Sequence, residues 1–158
     1  MKIVLQRVNR CKLTSGEYSS EIGFGLLVTI GVNKLDTIFD VKYLARKIVG
    51  LRIFKDEDNK SNLSLLDVNG DMMIVSNFTL QANIQSGTRP DYSHAGSNDF
   101  ALEMYHKFIE EVKKHNVKNV AIGSFGNHMH IDTELDGPFT IIIESEGRNH
   151  EWKDSRTF

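Results

Sequence analysis

A single cysteine, Cys11, occurs among the 158 residues. One thiol cannot close an internal disulfide or build a paired-cysteine zinc site, and it suits a reducing, cytoplasmic setting. Long apolar runs are missing too. Nothing approaches the ~18 residues of a membrane-crossing helix. Met1-Lys2-Ile3-Val4-Leu5 is cut short by Gln6 and Arg7, so neither a span nor a secretory leader is expected. Charge of one sign is also lacking, the formal net charge being -2. Proteins that coat long nucleic acids are usually basic, so contact with a nucleic acid is expected at an end or a single nucleotide, and not with DNA. The familiar catalytic signatures are absent. Gly123-Ser124-Phe125-Gly126 has the wrong spacing for a nucleophile elbow, and neither a P-loop nor a dinucleotide fingerprint occurs.

What is present suits one globular domain. Hydrophobic residues make up 40% of the chain, enough for a real core. The domain is expected over residues 1–145. The charged and polar segment 146–158, apart from Trp152, is expected to be a loose tail.

Strands are predicted at 2–9, with 11–14 continuing it or starting a neighbour. Ser15-Gly16-Glu17 signals a hairpin into 18–22. Residues 26–32 are continuously apolar, as in a strand buried on both faces. Asp36 and Thr37 can cap a helix carrying Val41, Leu44, Ala45 and Ile48 at helical spacing, closed by Gly50. A short strand is predicted at 51–55. Asn69-Gly70 is a tight-turn signal ahead of a buried strand at 72–75 that runs on through Ser76–Leu80. Asn98 and Asp99 can cap a second helix with Met104, Tyr105, Phe108, Ile109 and Val112 inward. Strands follow at 117–122, 128–135 and 141–145. The predicted class is α+β: a mainly antiparallel, curled, barrel-like sheet with two helices packed outside.

Three stretches carry functional weight. Gly137-Pro138 stands at the mouth of a β-prone run. Proline cannot donate to a ladder and is confined in sheets to edges, first positions or bulges. Glycine allows close approach of main chain to another molecule. A turn between two strands is the plain alternative. The loop 81–98 is long for a connection, and such loops are often functional. His128, His130 and Asp132 alternate along a predicted strand and so share a face. Two imidazoles and a carboxylate can hold a divalent metal. Three ligands on one straight strand converge poorly, so a polar outer face is the preferred reading, with no metal and no cofactor.

Met1–Val8, Ser76-Asn77-Phe78-Thr79-Leu80 and Asp136-Gly137-Pro138-Phe139-Thr140 resemble, in that order, the start, the Ser-Gln-Phe-Thr-Leu motif and the Gly-Pro-x-Thr motif of the D-aminoacyl-tRNA deacylases. Gly87-Thr88-Arg89-Pro90 and Phe125-Gly126 agree between them. The resemblance implies a cytoplasmic homodimer acting on the acceptor end of aminoacyl-tRNA. It would hydrolyse the ester between a D-amino acid, or glycine, and the terminal adenosine. It implies a cis Gly137–Pro138 bond reaching into the partner's site as a chiral filter. Thr140 belongs to the same motif, and Arg7 would brace the filter. Ser76, Phe78 and Thr79 would line the ester, with main-chain N–H groups near Phe78 and Thr79 polarising its carbonyl. Phe125 and Met129 would shape the adenosine side. Asn77, Leu135, Asn127 and Phe139 depart from the family's usual residues, and a non-catalytic, dimeric tRNA-end-binding paralogue is the alternative.

Overall fold

The computed structural model describes residues 1–145; the segment 146–158, expected to be a loose tail, lies outside the described residues. In chain order the elements are β1 (Lys2–Ser15), β2 (Tyr18–Ile22), β3 (Gly25–Gly31), α1 (Ile38–Gly50), β4 (Phe54–Lys55), β5 (Ser61–Leu63) and β6 (Asp71–Ser76). A 3-10 turn (Phe78–Gln81), α2 (Asn98–Lys113), β7 (Asn119–Ile122) and β8 (His130–Glu144) complete it.

β1 is the spine. It pairs antiparallel with β3 through its first half, with β2 through its second, and with β8 along nearly its whole length. β3, β6 and β7 run parallel. Parallel neighbours need a crossover, and the chain places α1 in the first and α2 in the second. The hydroxyls of Tyr18 and Ser20 both donate to the Ile122 carbonyl, at 2.8 and 2.9 Å. These bonds tie β2 to β7 and curl the sheet towards a closed barrel with the two helices outside.

Period-two alternation divides the core. Ile3, Leu5, Val28, Ile30 and Ile74 face the helices, where Leu44, Ile48, Met104 and Phe108 meet them. Val8, Cys11, Leu13, Leu27, Met73 and Val75 form a second cluster on the other side. β1 thus serves one cluster with its first half and the other with its second. The change coincides with register shifts against β8 between Gln6 and Val8 and between Val8 and Arg10, because an irregularity re-aims every later side chain. Gly25 shows how tightly β3 and β6 meet: an added Cβ would lie 1.9 Å from the Asp71 carbonyl oxygen.

Several boundaries differ from the sequence expectation. β8 is one strand rather than two. Gln6 pairs with Thr140 and Val8 with Leu135, so two residues of advance on β1 answer five on β8. The surplus around the cis Gly137–Pro138 bond leaves the ladder as a bulge, which is how a proline is accommodated mid-strand. β6 stops at Ser76 instead of running through Leu80, because the Asn77 side chain caps a 3-10 turn. Only Phe54–Lys55 of the stretch 51–55 is strand. Ser97, not Asn98 or Asp99, caps α2, its hydroxyl accepting from Phe100 N–H at 3.4 Å.

α1 opens with a capping box. Thr37 donates its N–H and its hydroxyl to Asp40 Oδ2 at 2.7 and 2.8 Å. Burial pushes the Asp40 carboxyl up, but hydrogen bonds from Ser145 and Thr37 and the nearby Met1 ammonium outweigh it and hold it below its ordinary value. A carboxyl lowered by folding adds stability above its unfolded pKa and loses it as the pH falls through the folded one. Asp40→Asn is therefore expected to cost about 1 kcal/mol at pH 7 and to flatten the loss of stability below about pH 4. Urea titrations across that range check this; parallel curves for the two proteins would refute it.

Candidate functional site

A cavity of about 500 Å³ opens at the C-terminal ends of β3 and β6. Thr29 and Ile30 of β3 form one wall, and Val75, Ser76, Asn77 and Phe78 form the floor. Ala95 and Gly96 come from the long loop, Phe125 and Met129 from the segment between β7 and β8. This is where parallel strands generally present loops to a ligand.

Long-range bonds hold the floor. The Asn77 N–H donates to the Ile30 carbonyl at 2.8 Å. Gln81, at the end of the 3-10 turn, donates to the Gly31 carbonyl at 2.7 Å and accepts from the Asn33 amide at 3.2 Å. The Ile74 carbonyl accepts from both the Tyr105 hydroxyl, at 2.7 Å, and the Gly123 N–H, at 2.8 Å. One carbonyl thereby fixes α2 and the start of the 123–129 segment against β6.

Asn77 determines which groups of the floor are available. Its Oδ1 accepts from the Thr79 hydroxyl at 2.5 Å and from the Thr79 N–H at 3.2 Å. The hydroxyl therefore donates to an amide oxygen, which is no base and leaves it a poor nucleophile. Of the main-chain N–H groups expected near Phe78 and Thr79, that of Thr79 is engaged by the same oxygen. Phe78 is different: it is the first residue of the turn, so its N–H has no acceptor within that turn. The sequence marked Asn77 as a departure from the family motif and not as a cap, although an Asn two residues before a Thr is a recognisable one.

Thr79 is not among the residues that line the cavity, and the other expected site residues fall into two groups. Ser76, Phe78, Phe125 and Met129 line the cavity. Arg7, Gly137, Pro138 and Thr140 gather at the bulge instead. Arg7 is 7% exposed. Its guanidinium donates to the Ile53 carbonyl at 2.7 Å and to the Asp136 carbonyl at 3.3 and 3.2 Å. It pairs with the Asp136 carboxylate at 3.2 Å and lies 4.3 Å from the centre of the Phe139 ring. Gln6 donates to the Thr140 hydroxyl at 3.3 Å. Held from behind in this way, Gly137 and Pro138 are themselves exposed.

The two groups sit at opposite ends of β3. Arg7 pairs with Leu26 and the cavity begins at Thr29 and Ile30. Leu26 and Ile30 are roughly 13 Å apart at the rise of a strand.

Of the alternating trio, His128 lines the cavity, whereas His130 and Asp132 are exposed on β8, and Asp132 pairs with Arg10 at 3.4 Å. Among the described residues no three His, Cys, Asp or Glu side chains gather as a metal would require. Burial pushes the Cys11 thiol up, which disfavours the thiolate. No helix of the described residues is long and apolar enough to cross a membrane.

Fold and site together define a class: a small curled-sheet protein whose cavity, at the ends of two parallel strands, combines main chain with the polar side chains of Ser76, Asn77, Asn127 and His128. The comparisons make the assignment specific. The family model described as D-Tyr-tRNA(Tyr) deacylase matches residues 4–144. A D-aminoacyl-tRNA deacylase of Thermosipho africanus is 46% identical over 147 residues, covering 92% of this chain and 98% of the relative. One from Clostridium botulinum is 47% identical with the same coverage. Among solved structures, one titled c-Myc DNA Unwinding Element Binding Protein superposes with a TM-score of 0.85 at 36% identity, covering 92% of this chain and 99% of that one. A probable eukaryotic D-amino acid tRNA deacylase gives 0.81 at 16% identity, covering 90% and 97%, a likeness of fold. The chain belongs to the D-Tyr-tRNA(Tyr) deacylase family.

Proposed function

We propose that this chain is a cytoplasmic carboxylic ester hydrolase that removes a D-amino acid, or glycine, from the 3′-terminal adenosine of mischarged tRNA. It acts as a homodimer in which the Gly137-Pro138 bulge of each protomer enters the cavity of the other and excludes L-aminoacyl groups. The observation that carries this reading is the placement of the bulge: braced from behind by Arg7, exposed in front, and outside the cavity of its own protomer. A wedge that cannot serve its own site is suited to serve a second copy's. Rejecting one hand of a substrate is a matter of shape, and rigid main chain serves it better than a mobile side chain.

For the chemistry, the ester carbonyl sits over the floor, where the Phe78 N–H stabilises the oxyanion that forms as water attacks. A fixed main-chain donor does this without reorganisation. The bond to the ribose 3′ oxygen then breaks, releasing the amino acid. The neighbouring 2′-OH of the substrate assists, and it distinguishes RNA from DNA. Ser76 lines the ester beside Phe78; Phe125 and Met129 form the adenosine side. Thr140 supports the wedge from the strand. Thr79 acts through its bonds to Asn77, as a positioning residue for the turn.

Incubation of catalytic amounts of protein with D-tyrosyl-tRNA and L-tyrosyl-tRNA tests the proposal. Many turnovers on the D form with the L form spared are expected. Stoichiometric protection without release of amino acid would instead identify a tRNA-end-binding paralogue. Within the same assay, Thr79→Ala is expected to keep turnover within about tenfold of the unmodified protein, since removing a general-base-assisted group typically costs ~10²–10⁴-fold. A loss beyond 10³-fold would make the hydroxyl the nucleophile after all.

A further inference from the structure

The cavity accounts for one aminoacyl nucleoside: its volume of about 500 Å³ lies within the range that takes a single drug-sized ligand. A tRNA acceptor end is single-stranded, so the nucleotide before the terminal adenosine must leave across the rim. Two aromatic rings stand there. Phe78, whose main chain belongs to the floor, is 60% exposed, and Tyr92 of the long loop is 38% exposed. Their centroids are 5.0 Å apart at 67°, edge to face. Such a pair covers only one face of one ring, and exposed aromatic faces are what unpaired bases stack on.

Tyr92 sits in a loop, but its main chain is pinned. Asn83 and Asp91 exchange N–H to carbonyl bonds of 2.7 and 2.9 Å, and the Tyr92 carbonyl accepts from the Ala95 N–H at 2.9 Å. Asp91 accepts from the Ser93 N–H and hydroxyl at 2.9 and 2.7 Å. From the neighbouring turn, Lys34 Nζ donates to the Ser93 carbonyl at 3.0 Å. A ring carried on pinned main chain, with a lysine bonded to the next residue, offers a stacking face and a partner for a backbone phosphate, in a protein whose net charge is -2.

We infer that Phe78 and Tyr92 form a second nucleotide subsite, which stacks the unpaired base preceding the terminal adenosine while Lys34 faces the phosphate between them. This rests on the deacylase reading for the identity of the ligand. It makes Tyr92 a determinant of binding outside the ester-cleaving machinery.

The test compares two minimal substrates, the D-tyrosyl esters of adenosine and of the dinucleotide cytidylyl-adenosine. The unmodified protein is expected to show a KM roughly 5- to 100-fold lower for the dinucleotide ester, the range that stacking one base supplies. Tyr92→Ala should erase that advantage and leave kcat and KM for the adenosine ester unchanged, while Tyr92→Trp should keep it. Tyr92→Leu, which retains apolar bulk, serves if Tyr92→Ala does not fold. Equal KM values for the two esters, or an equal loss on both in the variant, would overturn the subsite. Calorimetry with uncharged cytidylyl-adenosine and adenosine decides the same point without chemistry. A protein that cleaves neither ester yet binds the dinucleotide more tightly, in a Tyr92-dependent way, would retain the subsite and lose the deacylase reading.

Discussion

Gly137→Ala is expected to lower the ratio of D- to L-aminoacyl-tRNA hydrolysis by about 100-fold or more, some 2.7 kcal/mol of discrimination. A Cβ on Gly137 would lie 2.1 Å from the Phe139 main-chain nitrogen and 3.5 Å from the Phe139 Cβ. The nearest obstacle is backbone, which cannot turn aside as a side chain does, so the bulge itself has to move. In the proposed dimer that movement withdraws the wedge from the partner's cavity and admits the L form. The readout is the release of radiolabelled amino acid from matched D- and L-tyrosyl-tRNA, with folding checked by circular dichroism. An unchanged ratio in a folded dimer would show that Gly137 has no part in selecting the hand of the substrate.

Arg7→Ala should produce the largest loss of stability, about 3 kcal/mol. The side chain is nearly buried, and its removal strands the Ile53 and Asp136 carbonyls. It also uncovers one face of Phe139. Little of the loss is assigned to the ion pair with Asp136, whose side chain is 39% exposed and screened by solvent. For a chain of this length the Tm should fall by roughly 6–12 °C. Arg7→Lys should recover only part of it, because one ammonium cannot span carbonyls that a planar guanidinium reaches together. Discrimination between D and L substrates should weaken in both variants before overall turnover does. A Tm within about 2 °C of the unmodified protein would remove the brace from the account.

Much of the architecture was legible because it is written locally. The alternation in residues 2–14, the unbroken apolar run from Leu26, and the spacing of Val41, Leu44 and Ile48 each belong to a single element. Asp36 and Thr37 announce a helix start just ahead of that spacing. The errors came where two signals compete. Val75-Ser76-Asn77-Phe78 continues a β-prone run, yet the Asn77 side chain captures Thr79 and ends the strand. Gly137-Pro138 left a bulge and a turn both open and separated two predicted strands, yet β1 holds the chain on both sides of it, so the irregularity is absorbed as a bulge within one strand.

The sequence by itself determined the class, the core-facing residues and, through three ordered motifs, the family. It also put Ser76, Phe78, Gly137 and Pro138 forward before any coordinates. Only the tertiary structure decided that these four divide between two places at opposite ends of β3. It alone showed that Thr79 is already engaged, that Arg7 is anchored on Ile53, and that Tyr92 meets Phe78. The physical reason is separation along the chain. Periodicity and capping act over a few residues, whereas residues 7, 53 and 136, or 78 and 92, become neighbours only once the sheet has curled and the crossovers have closed.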